Sequence, residues 1–211
     1  MNKFKFIPNV KKLSLTKEID NNIEEETMLF NSSVDFAYKN GGDLTRLVID
    51  KLPKLDIKTG YNLIIDTKTT MLMPGMFPCI GGWHGDEVPR TKENPQPNLN
   101  LCDENVIHYI CLIPSVKSIS NTEFLSESVE IEYNEQEVWK TVNQNVLKLN
   151  PKKFSIQDGY IYSFDQKSLH RGVAANNKGW RFFFRASVLK KEPLNKIRKQ
   201  VQVYLDPNQS W

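Results

Sequence analysis

Apolar positions recur at helical intervals near the start of the chain and at strand intervals after it. Between residues 16 and 51, Ile19, Ile23, Met28 and Phe30, then Val34, Ala37 and Tyr38, keep a helical period. Asp20, Glu24, Glu25 and Glu26 supply the wet face. Asn40-Gly41-Gly42 interrupts the pattern, and Asp43 is placed to cap a second helix over residues 44–51, ahead of Pro53. Strand-like runs follow at residues 61–66 (YNLIID), 69–73, 106–113 (VIHYICLI) and 129–133 (VEIEY), the last alternating as a half-buried strand does. Residues 136–149 are ambiguous and admit a short helix. Residues 159–164 (GYIYSF), 169–174 and 180–189 (WRFFFRASVL) read as strands. Asn176-Asn177-Lys178-Gly179 predicts a hairpin turn between the last two. Residues 193–205 form a basic helix or strand. Helices first and strands afterwards predict a mainly β, α+β architecture around an antiparallel sheet or sandwich.

Composition narrows this picture. At 211 residues, one domain is expected, with helices over about 1–55, a β-core over about 60–190 and a basic segment over 191–211. The hydrophobic and charged fractions, 39% and 25%, fit a globular chain rather than a disordered one. No apolar run reaches the roughly 18 residues of a membrane span, and MNKFKFIPNVKKLSL lacks the apolar core of a secretory signal. A cytoplasmic protein is the expectation. Cys79, Cys102 and Cys111 have no metal spacing and read as free thiols of a reducing compartment. A net charge of +3 gives no general case for nucleic-acid binding.

The candidate chemistry lies in the histidines. There are three: His84, His108 and His170. In Trp83-His84-Gly85-Asp86, alternate residues of an extended segment project to one side, so His84 and Asp86 can present an imidazole nitrogen and a carboxylate oxygen to one point. Gly85 keeps the backbone between them unobstructed. His170 falls on a predicted strand. Two His and one carboxylate on one side of a metal is the donor set of non-haem Fe(II) oxygenases. Arg181 follows His170 by eleven residues.

His84-x-Asp86, His170-Arg171-Gly172-Val173 and Arg181 together resemble the signature of the 2-oxoglutarate/Fe(II)-dependent dioxygenases, over roughly residues 60–190. Arg185-Ala186-Ser187 echoes the family's Arg-x-Ser element, four residues later than Arg181. The resemblance implies a double-stranded β-helix, a cupin-like jelly-roll, with Fe(II) held by His84, Asp86 and His170. It implies 2-oxoglutarate and O2 as co-substrates, succinate and CO2 as products, and hydroxylation of a C–H bond. Arg181 would hold the 5-carboxylate of 2-oxoglutarate, a task that suits a planar, permanently charged guanidinium. Thr122, in Ser120-Asn121-Thr122-Glu123-Phe124, resembles the hydroxyl that some members add there.

Rival readings remain at this stage. A cupin-like isomerase or thiol dioxygenase would want more histidine ligands, and a metal-free β-sandwich binding module would not need Arg181 at a fixed offset. His108, inside an apolar strand, reads as a core or pocket-lining residue. Trp83, Met73, Met76 and Phe77 read as core or pocket wall, and Phe182 and Phe184 as packing opposite the arginines. Arg185, inward like Arg181, needs an anion: the 1-carboxylate of 2-oxoglutarate, an acidic group on the substrate, or a protein carboxylate such as Glu123 or Asp165. The second makes the substrate an anionic small molecule, an amino acid foremost. A nucleobase or nucleic acid is the alternative, since Arg90 and the basic segment Lys190, Lys191, Lys196, Arg198, Lys199 can guide phosphate. The polar loop 91–105 leaves directly from the metal motif and can close over a substrate.

Overall fold

The computed structural model describes residues 2–15 and 22–206. In chain order the strands and helices are β1 (Asn2–Phe6), β2 (Lys11–Leu15), β3 (Leu29–Phe30), α1 (Val34–Asn40), α2 (Asp43–Lys51), β4 (Asn62–Leu72), β5 (Ile107–Pro114), β6 (Thr122–Leu125), β7 (Val129–Tyr133), α3 (Val138–Leu149), β8 (Lys153–Ser155), β9 (Tyr160–Asp165), β10 (His170–Gly172), β11 (Gly179–Leu189) and β12 (Lys196–Ile197). The fold is mainly β, with several antiparallel sheets and three helices. The largest sheet runs β2-β9-β5-β11-β4 and a smaller one β10-β6-β8. Two further pairs, β1-β7 and β12-β3, stand apart. Among the described residues, no helix is long and apolar enough to cross a membrane.

Alternation along β11 divides the protein into layers. Phe182, Phe184 and Ala186 turn outward and pack with Ala37, Leu44 and Val48 of α1 and α2. Arg181, Phe183 and Arg185 turn to the other face. There Ile110, Leu112, Tyr162 and Phe164 of the large sheet meet Phe124 of β6 and Ile156, closing an apolar layer between the sheets. A third cluster, with Trp83, Leu125, Ile131, Trp139, Val142 and Leu169, packs α3 and β7 against the opposite side of β6.

Helix is less extensive at the start than the periodicity predicts. Residues 16–21 lie outside the described residues. Ile23–Glu25 is a single 3-10 turn and Leu29–Phe30 a strand. The helix begins where a cap exists: the Ser33 hydroxyl accepts from the Phe36 amide at 3.2 Å. Asp43 is the first residue of α2 rather than its cap. The Glu26 carboxylate does the capping, accepting from the amides of Leu44 (2.6 Å) and Gly42 (3.2 Å) and from the Thr45 hydroxyl (2.9 Å). A wet-face residue by period is thus a buried one by structure.

Other boundaries move for equally local reasons. The runs at 61–66 and 69–73 fuse into one strand, β4, because β11 pairs with it residue for residue and no breaker separates them. The predicted hairpin is not one. β10 pairs with β6, whereas β11 pairs with β4 and β5, so residues 176–179 carry the chain from one sheet to the other. Gly179 is needed there because a Cβ would meet the Ser115 hydroxyl oxygen at 2.8 Å. Of residues 193–205, only Lys196–Ile197 is regular, pairing with β3. Residues 136–149 do contain a helix, α3. None of the three cysteines is in a disulfide; Cys111 is buried and the others half-buried.

Candidate metal centre

His84 and His170 are locked together through their backbones. The amide of each donates to the carbonyl of the other at 3.0 Å, an isolated antiparallel bridge on the outer side of β10. Their ring centroids stand 4.7 Å apart. Each Nδ1 donates to a backbone carbonyl, Gly82 at 2.7 Å for His84 and Ser168 at 3.0 Å for His170. That fixes the tautomer and turns each Nε2 toward the Asp86 carboxylate. Asp86 lies between them, Oδ1 at 3.9 Å from Nε2 of His84 and Oδ2 at 3.6 Å from Nε2 of His170. One donor atom from each residue lies within 4.8 Å of the others. Gly85 cannot be replaced without a shift, since a Cβ would meet the Gln166 carbonyl oxygen at 2.4 Å.

Electrostatics prepares the same atoms. Burial, helped by repulsion from His170, pushes the His84 imidazole down to about 4, so it is neutral at physiological pH. Burial alone would raise the Asp86 carboxyl. Arg185 and then His170 outweigh it and hold Asp86 well below the ordinary carboxylate range. The set is therefore two imidazoles, that of His84 neutral, and one carboxylate, donors that a divalent cation of borderline softness accepts.

Arg185 is the hub of the surrounding charge. Its Nη1 donates to Oδ2 of Asp86 at 2.7 Å, its Nη2 to Oδ2 of Asp66 at 3.0 Å, and Glu87 stands at 3.8 Å. Asp66 also accepts from the Asn31 amide at 3.0 Å and faces Arg198 at 3.5 Å. The carboxylates that meet Arg185 are thus Asp66 and Asp86, not Glu123 or Asp165. Glu123 pairs instead with Arg171 at 2.8 Å, and Asp165 accepts from Ser168. With its charge met by the protein, Arg185 no longer calls for an acidic substrate, although it does line the cavity.

That cavity encloses about 580 Å³. Its wall includes His84, Asp86 and His170, then Thr122, Arg181 and Arg185 from the sequence-predicted set, and Trp139. Arg181 is 3% exposed. Its Nε donates to the Ser120 carbonyl at 2.8 Å, and burial pushes its guanidinium down to about 10. Among the described residues no carboxylate lies within ion-pair distance of it. Thr122 is buried on the cavity wall. Of the loop 91–105, Pro97 reaches the cavity beside Arg90, whose guanidinium is tied to the Pro95 carbonyl.

His108 is not a ligand. It is wholly buried in the sheet, its Nδ1 2.8 Å from the Ser187 hydroxyl, and burial drives it down to about 3. Met73 is exposed rather than wall. Sequence reasoning missed Asp66 and Lys68 of β4. Asp66 pairs in register with Arg185, Lys68 with Phe183 and Thr70 with Arg181. The alternation Asp-x-Lys-x-Thr was the available signal: every second residue of a buried strand was polar.

No family model and no curated protein matches the chain.

Proposed function

We propose that this protein is an Fe(II)- and 2-oxoglutarate-dependent oxygenase that hydroxylates a C–H bond of a small molecule. One observation carries the reading: two imidazoles and a carboxylate converge in the wall of a cavity that also holds a buried arginine with no carboxylate at ion-pair distance among the described residues. The donors fit the metal. Both Nε2 atoms face the Asp86 carboxylate, and the Nδ1 bonds orient the rings as second contacts of metal-bound histidines do.

Strand order supports a double-stranded β-helix reading. From β4 onward the core segments visit the large sheet, the small sheet through His84, the large sheet at β5, the small sheet at β6 and β8, then alternate through β9, β10 and β11. Every pairing is antiparallel.

Bound Fe(II) would supply the redox chemistry that couples decarboxylation of the keto acid to insertion of one oxygen atom of O2 into the C–H bond, the other entering succinate. The chain's own part is positioning. Arg181 holds the distal carboxylate, and Thr122 offers that carboxylate a hydroxyl. Arg185 fixes one oxygen of Asp86, so the other is presented to the metal. Trp139, Val88 and Pro97 form apolar wall that excludes water from the reacting atoms.

The test is succinate release. Protein purified without metal and supplied with Fe(II), ascorbate, O2 and 2-oxoglutarate should form succinate, slowly alone and faster with an acceptable substrate. A protein that binds neither Fe(II) nor 2-oxoglutarate would be the metal-free binding module instead.

A further inference from the structure

We infer that Lys68 is a second cation for the distal carboxylate of the keto acid, closing on it together with Arg181; this rests on the oxygenase reading above. The two residues share one face. Lys68 stands opposite Phe183 in the β4–β11 register, and Arg181 is two residues from Phe183 on the same strand. Diagonal neighbours of this kind are about 7–8 Å apart at their roots, within reach of two long side chains that share a ligand. The Lys68 ammonium and the Arg181 guanidinium each lie 5.7 Å from the Phe183 ring centroid. Their separation is therefore at most roughly twice that distance.

Charge makes the case specific. Four cations line the cavity: Lys68, Arg90, Arg181 and Arg185. Its carboxylates, Asp86 and Glu87, both face Arg185. Arg90 is exposed and bonded to the Pro95 carbonyl. Lys68 and Arg181 remain, half-buried and buried, with no carboxylate at ion-pair distance among the described residues. Burial, and then the charges of Arg198 and Arg185, push the Lys68 ammonium down. Two such cations beside one apolar ring are costly without an anion. A carboxylate has two oxygens and lone pairs enough for a guanidinium on one side and an ammonium on the other. Cys79 lies beside both cations and lines the same cavity as His84, Asp86 and His170, so an anion held between Lys68 and Arg181 can point its chain back to the metal donors.

The experiment compares two keto acids on the Mn(II)-loaded protein by calorimetry. 2-Oxoglutarate carries the distal carboxylate, and 2-oxopentanoate has the same chain length without it. Lys68→Met is expected to weaken 2-oxoglutarate at least ten-fold, leave 2-oxopentanoate and Mn(II) affinity unchanged, and regain most of the loss as Lys68→Arg. Equal 2-oxoglutarate affinity in the wild type and in folded Lys68→Met would overturn the assignment of Lys68 while leaving the oxygenase reading intact. A wild type that binds Mn(II) but no 2-oxoglutarate would overturn both.

Discussion

The two ends of the cavity are built on opposite principles. At the metal end every strong charge has a protein partner: Asp86 with Arg185, Arg185 with Asp66, Asp66 with Arg198. At the far end Arg181 and Lys68 have no carboxylate at ion-pair distance among the described residues. The first end is neutralised before any ligand arrives and keeps its shape alone. The second holds its cations in a strained electrostatic state that an incoming anion relieves. The contrast teaches which substitutions should be read as folding changes and which as binding changes.

The largest effect should come from the metal end. Asp86→Ala should abolish Mn(II) binding, followed by the loss of protein-bound signal in electron paramagnetic resonance; retention of tight binding would show that His84 and His170 suffice. Next, Arg185→Leu takes the ion-pair partner from half-buried Asp86 and leaves buried Asp66 with Arg198 alone, and should cost about 3–5 kcal/mol in urea unfolding. Arg181→Leu, which deletes an unpaired buried cation, should cost near zero or add stability in the ligand-free protein, yet lose 2-oxoglutarate binding. Similar destabilisation by both would erase the contrast between the ends.

A smaller effect concerns pH. His84 and His108 sit at about 4 and about 3 in the folded protein, below the 6.5 of an exposed imidazole. Between these values the unfolded chain takes up protons that the folded one refuses. Stability of the metal-free protein should thus be full above about pH 6.5 and fall as pH drops toward 4, by on the order of 3 kcal/mol from His84 alone. Urea midpoints at pH 7 and pH 4.5 measure this, and equal midpoints would contradict the burial of both rings as neutral species. Smallest is Glu26→Ala, which removes the α2 cap and should cost about 1–2 kcal/mol without changing metal or keto-acid affinity.

What the sequence made legible was what is written within a few residues. His84-x-Asp86 is a local statement about an extended segment, and the alternation of residues 129–133 is a local statement about a half-buried strand. Both stand as read, and the donors do converge. Glu26 was opaque because its work is done on a helix that starts many residues later. The hairpin reading at residues 176–179 went astray because Asn-Asn-Lys-Gly suits any reversal, whether to the next strand of one sheet or across to another. Asp66 and Lys68 were passed over because a charge in mid-strand reads as solvent-facing until its cross-strand neighbours, Arg185 and Phe183, are known. β1 (Lys3-Phe4-Lys5-Phe6) and β2 (Lys12-Leu13-Ser14-Leu15) do alternate, but only briefly and among lysines, and β6 and β8 are shorter still.

The paired backbone hydrogen bonds between His84 and His170 have a consequence for how such a chain can diversify. They weld the two imidazoles to each other directly, so the geometry of the donors does not pass through the residues between them. Anything inserted into the polar stretch at 91–105 is looped out from an anchored pair. Doubling the length of a flexible loop costs only about 0.6 kcal/mol. New sequence can therefore be grafted there, to widen or narrow what the cavity admits, at little risk to the centre beneath it.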